Sequence, residues 1–276
     1  MGFLTRLTNG WELAKLSFKV IDQNRYLLLF PVISITALIL VLATFFGGTA
    51  FIFGDQIDAL LNSEGSGAYL AYFGLFLFYI INYFVIVFFN SALIHCAVKT
   101  LEGDETSLGD GISFAATKVG KIFAWSVVSA TVGVILQAIQ NSGKVGEIIG
   151  ALIGTGWSIL TFFVTPILIY EEKDVFATIK ESGRIMKEKW GESLSATVSF
   201  GLFHFLGILA AGLVGFGLFQ IHPGLGIIVA VLLFLTISTI IATAKTVFVA
   251  AVYNHVSGRP TGEFDGETLD SVFMHK

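Results

Sequence analysis

Six apolar stretches of roughly 18 to 30 residues dominate this sequence and restrict what it can fold into. A helix with a rise of about 1.5 Å per residue needs roughly 20 residues to cross the hydrocarbon core of a bilayer. We therefore predict an all-α membrane helix bundle that forms one integral membrane domain over residues 1–276, with a tail at 258–276. The predicted spans cover approximately residues 26–46, 69–98, 122–139, 147–170, 194–219 and 224–253.

The composition agrees with a chain whose outer surface faces lipid. Hydrophobic residues make up 55% of the sequence and charged residues only 13%, whereas soluble proteins carry roughly 25% charged residues. The net charge is -4 and no long run has a single sign, so we expect no nucleic-acid partner. Cys96 is the single cysteine, which excludes an internal disulfide.

The lysines and arginines lie almost entirely on one side of the predicted spans. Fourteen of the 16 are in the terminal segments or in the connections after the second and fourth spans, while the opposite loops contain Lys144 alone. Because cytoplasmic loops carry the excess of positive charge, we predict a cell-membrane protein with both termini in the cytoplasm. The acidic segment at 54–67 then forms an external loop.

Three connections on the predicted cytoplasmic side carry apolar residues at helical spacing beside charged residues, which is typical of amphipathic helices. Such helices either lie in the headgroup plane or pack on one another and on the span ends. The order of amphipathic helix, span and span occurs three times, which suggests three parallel repeats. The apolar faces contain Phe3, Leu7, Trp11, Ala14, Phe18 and Ile21; Ile112, Ala115, Val119 and Ile122; and Phe176, Ile179, Gly183, Met186 and Trp190.

Small residues recur at four-residue steps in the last three spans, where they let helix backbones approach closely. We assign them to packing within one molecule rather than to oligomerisation, although the sequence leaves the oligomeric state open. Pro166, near the end of the fourth span, predicts a bend that a neighbouring helix satisfies. The steps are Gly146, Gly150, Gly154 and Ser158; Gly207, Ala211 and Gly215; and Ser238, Ala242, Thr246 and Ala250.

Polar residues inside the predicted spans are few. Asn82, Asn90, Gln137, Gln140 and His204 either line a path for a small solute or hold neighbouring helices together, and we prefer the second interpretation. Four further residues are predicted to anchor span ends at the inner membrane surface, where long cations and tryptophan reach the interface. These anchors are Arg25, Arg184, Trp190 and Lys245.

The sequence contains no motif for catalysis, a cofactor or a metal. The patterns G-x-S-x-G, H-E-x-x-H and C-x-x-C and the Walker A loop are absent, and the five histidines are scattered. We therefore expect no enzymatic activity, no cofactor and no metal site. A membrane enzyme acting on lipid would instead need groups such as His95, Glu102 and Glu171 to converge.

Five segments resemble a family of uncharacterised multi-pass membrane proteins of archaea and bacteria, classified only as a domain of unknown function. The resemblance covers nearly the whole chain. It implies six spans and no particular activity. The segments are SFKVIDQNRYLLLFPVIS (17–34), FFNSALIHCA through GDGISFAATKVGKIFAWSVVSATVG (88–133), GTGWSILTFFVTPILIYEE (154–172), ESGRIMKEKWGES (181–193) and YNHVSGRPTGEFD (253–265).

Taken together, these features favour a non-enzymatic integral membrane protein that engages membrane lipids or a membrane protein partner. The alternative is a transporter or channel for a small solute. A continuous polar cavity across the bilayer would favour transport, whereas a tightly packed bundle would favour the first interpretation.

Overall fold

A computed structural model of the protein describes residues 3–54, 66–188, 190–262 and 264. These residues form ten α-helices and one short 3-10 helix, Arg25–Leu28, and contain no strand. The helices are α1 (Phe3–Gln23), α2 (Leu29–Phe53), α3 (Ser66–Glu102), α4 (Leu108–Thr117), α5 (Val119–Gln140), α6 (Lys144–Leu160), α7 (Val164–Tyr170), α8 (Val175–Glu188), α9 (Trp190–Phe219) and α10 (Pro223–Val256).

Within the described residues, six segments are long and apolar enough to cross a membrane, which confirms the predicted all-α class and the six predicted spans. Large apolar side chains on these segments, such as Ile39, Leu152 and Leu213, are exposed as lipid-facing residues would be. The predicted external loop at 54–67 and the tail at 258–276 lie largely outside the described residues. The segments are Arg25–Ile52, Tyr72–Glu102, Val119–Gln140, Lys144–Tyr170, Val198–Phe219 and Pro223–Val256.

The helices group into two compact units. Unit 1 contains Met1–Pro31, Ala92–Gly111 and Arg184–Lys276, and unit 2 contains Val32–Ser91 and Ile112–Gly183. Helices α2, α3, α4 and α8 therefore contribute residues to both units. The single domain over 1–276 and the three parallel repeats stay predictions, although the order of amphipathic helix, span and span is present.

In unit 1, the amphipathic helix α1 packs on the spans α9 and α10. The ring of Trp11 stacks on that of Phe203 with 3.9 Å between centroids, and Phe18 contacts Phe203 edge to face at 5.2 Å. Leu13 and Ala14 are fully buried. For α1, the structure thus selects packing against the span ends over a free position among the lipid headgroups.

Two glycines place α9 directly against α10 within unit 1. A Cβ atom at Gly207 would lie 2.5 Å from Cγ2 of Ile237, and one at Gly215 would lie 2.5 Å from Cβ of Ala230. No side chain fits at either glycine unless the neighbouring atoms of α10 shift. The small-residue step on α9 therefore lies at a close contact between α9 and α10 within unit 1.

The end of α3 is joined to the segment after α10, also in unit 1. Glu102 pairs with Lys99 at 2.8 Å and with Arg259 at 3.4 Å. The side-chain amide of Asn254 donates a hydrogen bond to the carbonyl of Pro260 at 2.9 Å, and Phe264 is fully buried. These contacts hold the described part of the C-terminal segment against the bundle.

In unit 2, the fourth span is broken rather than smoothly bent. Helix α6 ends at Leu160 and α7 begins at Val164, so Pro166 lies in the first turn of α7. The break precedes the proline because a proline ring clashes with the carbonyl four residues earlier and has no N–H to donate to it. The N–H of Phe163 instead donates to Oγ of Ser182 on α8 at 3.0 Å. A neighbouring helix thus satisfies the bend, as predicted.

Two predicted apolar faces need correction. Phe176 was predicted to lie on the apolar face of α8 but is 75% exposed, whereas Thr178 and Ser182 are buried. Ser182 is buried because it faces the break in the fourth span, where it accepts the hydrogen bond from the N–H of Phe163. The second predicted face, which runs through Val119 and Ile122, is divided by a turn at Lys118, so these two residues belong to α5 rather than to α4.

Candidate functional site

Several of the polar residues predicted to line a path form hydrogen bonds with neighbouring groups of the helices. Gln137 on α5 accepts a hydrogen bond from the hydroxyl of Tyr79 on α3 at 3.0 Å. Asn82 donates to the carbonyl of Phe78 within α3 at 2.7 Å. Asn90, also on α3, is half-buried. Gln137 therefore links two helices of unit 2, and Asn82 forms its hydrogen bond within one of them.

His204 belongs to unit 1, unlike the other candidates. Its Nε2 atom lies 3.0 Å from Oγ of Ser238 on α10, and its ring stacks on Phe234 with 6.4 Å between centroids. The imidazole therefore joins α9 to α10, as expected for a polar group that holds two helices together in lipid.

The predicted interface anchors are exposed where their side chains are described. Arg25 pairs with Asp22 at 2.7 Å, and both side chains are largely exposed. Arg184 and Lys245 are exposed on α8 and α10. Trp190 begins α9, but its side chain lies outside the described residues. Their contact with lipid headgroups stays a prediction.

Glu102 and Glu171, the two acidic residues that a lipid-acting enzyme would need, both form ion pairs. Glu171 lies 2.6 Å from Lys173, and the hydrogen bond between them raises the pKa of Lys173 above its usual value. The carbonyl of Glu171 accepts a hydrogen bond from Lys121 at 2.7 Å. In the part of the chain that the structure describes, no three His, Cys, Asp or Glu residues are grouped closely enough to hold a metal ion.

A cavity of about 400 Å³ lies between α3, α5 and α6 within unit 2. It is partly open to the surroundings, and its volume is in the range of ligand-binding pockets, roughly 300 to 1,000 Å³. Polar and apolar side chains both contribute to its wall. The lining residues are Tyr83 from α3, Ser129, Gly133, Leu136 and Gln140 from α5, and Ala151, Gly154, Thr155, Trp157 and Ser158 from α6.

The three glycines near this cavity differ in how much space they leave between the helices. Towards the α5–α6 loop, a Cβ atom at Gly150 would lie 2.4 Å from Cγ of Gln140, so the two helices nearly touch there. At Gly154 the nearest atom would be Cδ1 of Leu136 at 3.8 Å. A Cβ atom at Gly133 would lie 3.0 Å from the hydroxyl oxygen of Tyr83, which therefore occupies the space left by that glycine.

The hydroxyl groups around the cavity differ in their hydrogen bonding. Those of Thr155 and Ser158 donate to carbonyls four residues earlier in α6, at 2.8 and 2.9 Å. Ser129 is only 6% exposed, and its hydroxyl has no hydrogen-bond partner among the residues that the structure describes. The same holds for the hydroxyl of Tyr83 and the side-chain amide of Gln140. Unpaired polar groups at membrane depth are costly, so this wall is suited to a ligand that forms hydrogen bonds.

Sequence reasoning missed Tyr83 and Ser129, and it assigned Gly154 to helix packing alone. Of the polar residues predicted to line a path, Gln140 lines the cavity, whereas Asn82, Asn90, Gln137 and His204 do not. One signal was present in the sequence, because Ser129 and Gly133 on α5 are spaced like Gly154 and Ser158 on α6. Small residues at the same spacing on consecutive spans allow either a close contact between the two helices or a cavity. The side chains around these residues determine which of the two forms.

The comparisons with known proteins identify a family but give no information about a ligand. A model described as a family of unknown function (DUF6159) matches residues 69–263, which is well over half of the chain and includes every residue of the cavity. No curated protein and no solved structure matches significantly.

Proposed function

Because the chain belongs to this family of unknown function (DUF6159), its role has to be inferred from its own geometry, and we propose that it is a non-enzymatic, lipid-binding membrane protein. The cavity between α3, α5 and α6 is the binding site in this proposal. The bound molecule comes from the surrounding bilayer, so membrane lipids are the partner. A membrane protein partner stays a further prediction.

One observation carries the proposal. The cavity is partly open and lies on helices long and apolar enough to span a membrane. Its wall includes Ser129, a residue only 6% exposed, whose hydroxyl has no hydrogen-bond partner among the described residues. A closed seam between helices would leave no such volume, since interiors pack with few voids larger than a water molecule. The alternative from the sequence, a transporter or channel for a small solute, is not favoured, because the cavity follows only part of α5, from Ser129 to Gln140.

Filling the cavity is expected to prevent lipid binding. In the Gly154→Leu variant the new side chain occupies the cavity, so we expect retention of the bound lipid to fall at least about tenfold, which corresponds to about 1.4 kcal/mol. The measurement is native mass spectrometry of the purified protein after exchange of lipid for detergent. Retention equal to that of the unchanged protein would contradict the proposal.

Gly156→Leu supplies the matched control for this experiment. Gly156 lies two residues further along α6, is exposed, and has nothing within 4 Å of its missing Cβ position. Both variants replace a helical glycine with leucine and so gain similar helix propensity. Lipid retention is expected to change only in Gly154→Leu.

We also propose that the protein lies in the cell membrane with both termini in the cytoplasm, which the distribution of lysine and arginine supports. The short connection between α5 and α6 is then external. Gln140 ends α5 beside this connection, and Ser129 lies near the middle of the 22-residue helix. Under this orientation the cavity occupies the outer half of the membrane.

Thiol labelling tests this orientation. In a Cys96→Ala background, we expect Asn141→Cys to react with a membrane-impermeant maleimide on intact cells, because residue 141 lies in the external connection. Ser257→Cys, which follows α10, is expected to react only after permeabilisation. Both positions are exposed in the structure. The reverse pattern of labelling would place the termini outside.

A further inference from the structure

Among the residues that the structure describes, the lining of the cavity contains hydrogen-bonding groups but no ionisable Lys, Arg, His, Asp or Glu side chain. A phosphate or carboxylate placed there would lose its hydration without gaining a countercharge, which is strongly unfavourable in a low-dielectric site. Uncharged molecules that carry oxygen atoms avoid this cost. The chemistry of the wall therefore discriminates against charged lipids.

The depth of the unpartnered hydroxyl gives a second restriction. Ser129 is eleven residues from Gln140 along α5, or roughly 16 Å at about 1.5 Å per residue. A hydrocarbon core is about 30 Å thick, so this hydroxyl lies near the bilayer centre. A phospholipid keeps its charged headgroup at the interface and the neighbouring ester oxygens close to it. A lipid without a charged headgroup has no such restraint and can bring an oxygen to this depth.

From the uncharged wall and the depth of Ser129, we propose that the cavity selects a neutral lipid with a hydroxyl or ester carbonyl oxygen, such as a diacylglycerol. That oxygen accepts hydrogen bonds from the hydroxyls of Tyr83 and Ser129, and the acyl chains follow the apolar surface formed by Leu136 and Ala151. This inference rests on the lipid-binding role proposed above and adds the chemical class of the ligand.

The two proposed hydrogen-bond donors are the hydroxyls of Tyr83 and Ser129. They come from different helices, so together they can hold one ligand oxygen from two sides. Tyr83 is on α3 and Ser129 on α5, and Gly133, one turn from Ser129, leaves room for the tyrosine hydroxyl. A carbonyl oxygen has two lone pairs and accepts from both donors at once. An oxygen held from two sides also fixes the position of the lipid along the cavity.

Photocrosslinking in vesicles tests the inference. The protein is reconstituted in phosphatidylcholine vesicles that contain a diacylglycerol with a diazirine on one acyl chain, or a phosphatidylcholine with the same modified chain. We expect the unchanged protein to capture the diacylglycerol at least about fivefold more efficiently. Tyr83→Phe and Ser129→Ala should each lower this capture about fivefold to tenfold, as expected for one lost hydrogen bond, and leave capture of phosphatidylcholine unchanged.

Matched controls separate the loss of a donor from a general disturbance of the helices. Ser126→Ala removes a buried hydroxyl from α5 that already donates to the carbonyl of Ile122 at 2.7 Å and does not line the cavity. Tyr72→Phe removes an exposed hydroxyl from α3. Neither variant should change the preference for diacylglycerol.

The outcomes distinguish this inference from the proposal on which it rests. If Gly154→Leu lowers the capture of both probes equally, the cavity binds lipid but does not select neutral lipid, and the inference is wrong. If it lowers the capture of neither probe, lipid binding in the cavity is itself wrong. Equal capture of the two probes by the unchanged protein, or unchanged preference in Tyr83→Phe and Ser129→Ala, would also overturn the selectivity.

Discussion

Gly226→Ala is expected to destabilise the protein by about 1–3 kcal/mol, the usual cost of overpacking a tight contact. Gly226 lies in the first turn of α10, where a Cβ atom would be 2.5 Å from the backbone nitrogen of Phe219 and 2.6 Å from the carbonyl oxygen of Gly215. Both neighbours are backbone atoms of α9, so no side-chain rotation relieves the clash. The two helices have to separate, which weakens the contact that Gly207 and Gly215 also form.

Cys96 provides a direct readout for this prediction. The thiol is fully buried in unit 1 and donates to the carbonyl of Ser107 at 3.4 Å, and it is the single cysteine of the chain. A thiol-reactive fluorophore in detergent should therefore react only when unit 1 unfolds. We expect the transition of Gly226→Ala at a lower temperature than that of the unchanged protein.

Gly212→Ala is the control with the opposite expected sign. Gly212 is an exposed position inside α9, with nothing within 4 Å of its missing Cβ. Alanine there gains up to about 1 kcal/mol of helix propensity over glycine without a clash. A transition raised or unchanged in Gly212→Ala but lowered in Gly226→Ala supports the close contact. Equal shifts in the two variants would contradict it.

The membrane spans could be predicted because the property that defines them is local in the sequence. A helix crosses lipid when about 20 successive side chains are apolar, and no other part of the chain is needed to decide this. The boundaries of the fourth span could be predicted for the same reason, and Pro166 marked its interruption. The precise break at Thr161 to Phe163 required knowledge of α8, because Ser182 is the acceptor for the amide of Phe163.

The candidate site could not be predicted because it depends on several helices at once. Sequence reasoning looked for polar side chains within single spans and therefore selected Asn82 and Gln137, which the structure places in contacts between or within helices. Ser129 is one of several serines in the spans, and nothing local distinguishes it from Ser126. Ser129 differs because its hydroxyl has no hydrogen-bond partner among the described residues and because it lines the cavity together with Gly154. The cavity depends on how α5 and α6 pack.

Ser182→Ala is expected to destabilise unit 2 by about 1–3 kcal/mol, the cost of leaving a buried donor unsatisfied. The N–H of Phe163 is buried at the break between α6 and α7, and Oγ of Ser182 accepts from it at 3.0 Å. Phe163 and Ser182 are both fully buried, so water does not replace the lost acceptor without local opening. Exchange of the Phe163 amide with deuterium should then be faster in the variant, as measured by mass spectrometry on a peptide covering 161–165.

The same helix supplies a control in which a hydroxyl is removed without a lost acceptor. Thr178 is fully buried one turn before Ser182 on α8, and its hydroxyl has no hydrogen-bond partner within the described ranges. Thr178→Val keeps the shape of the side chain and removes an unsatisfied polar group, so exchange at Phe163 should be unchanged or slower. If Thr178→Val accelerated exchange as much as Ser182→Ala, the effect would reflect the packing of α8, and the assignment of Ser182 as the acceptor that stabilises the broken span would be wrong.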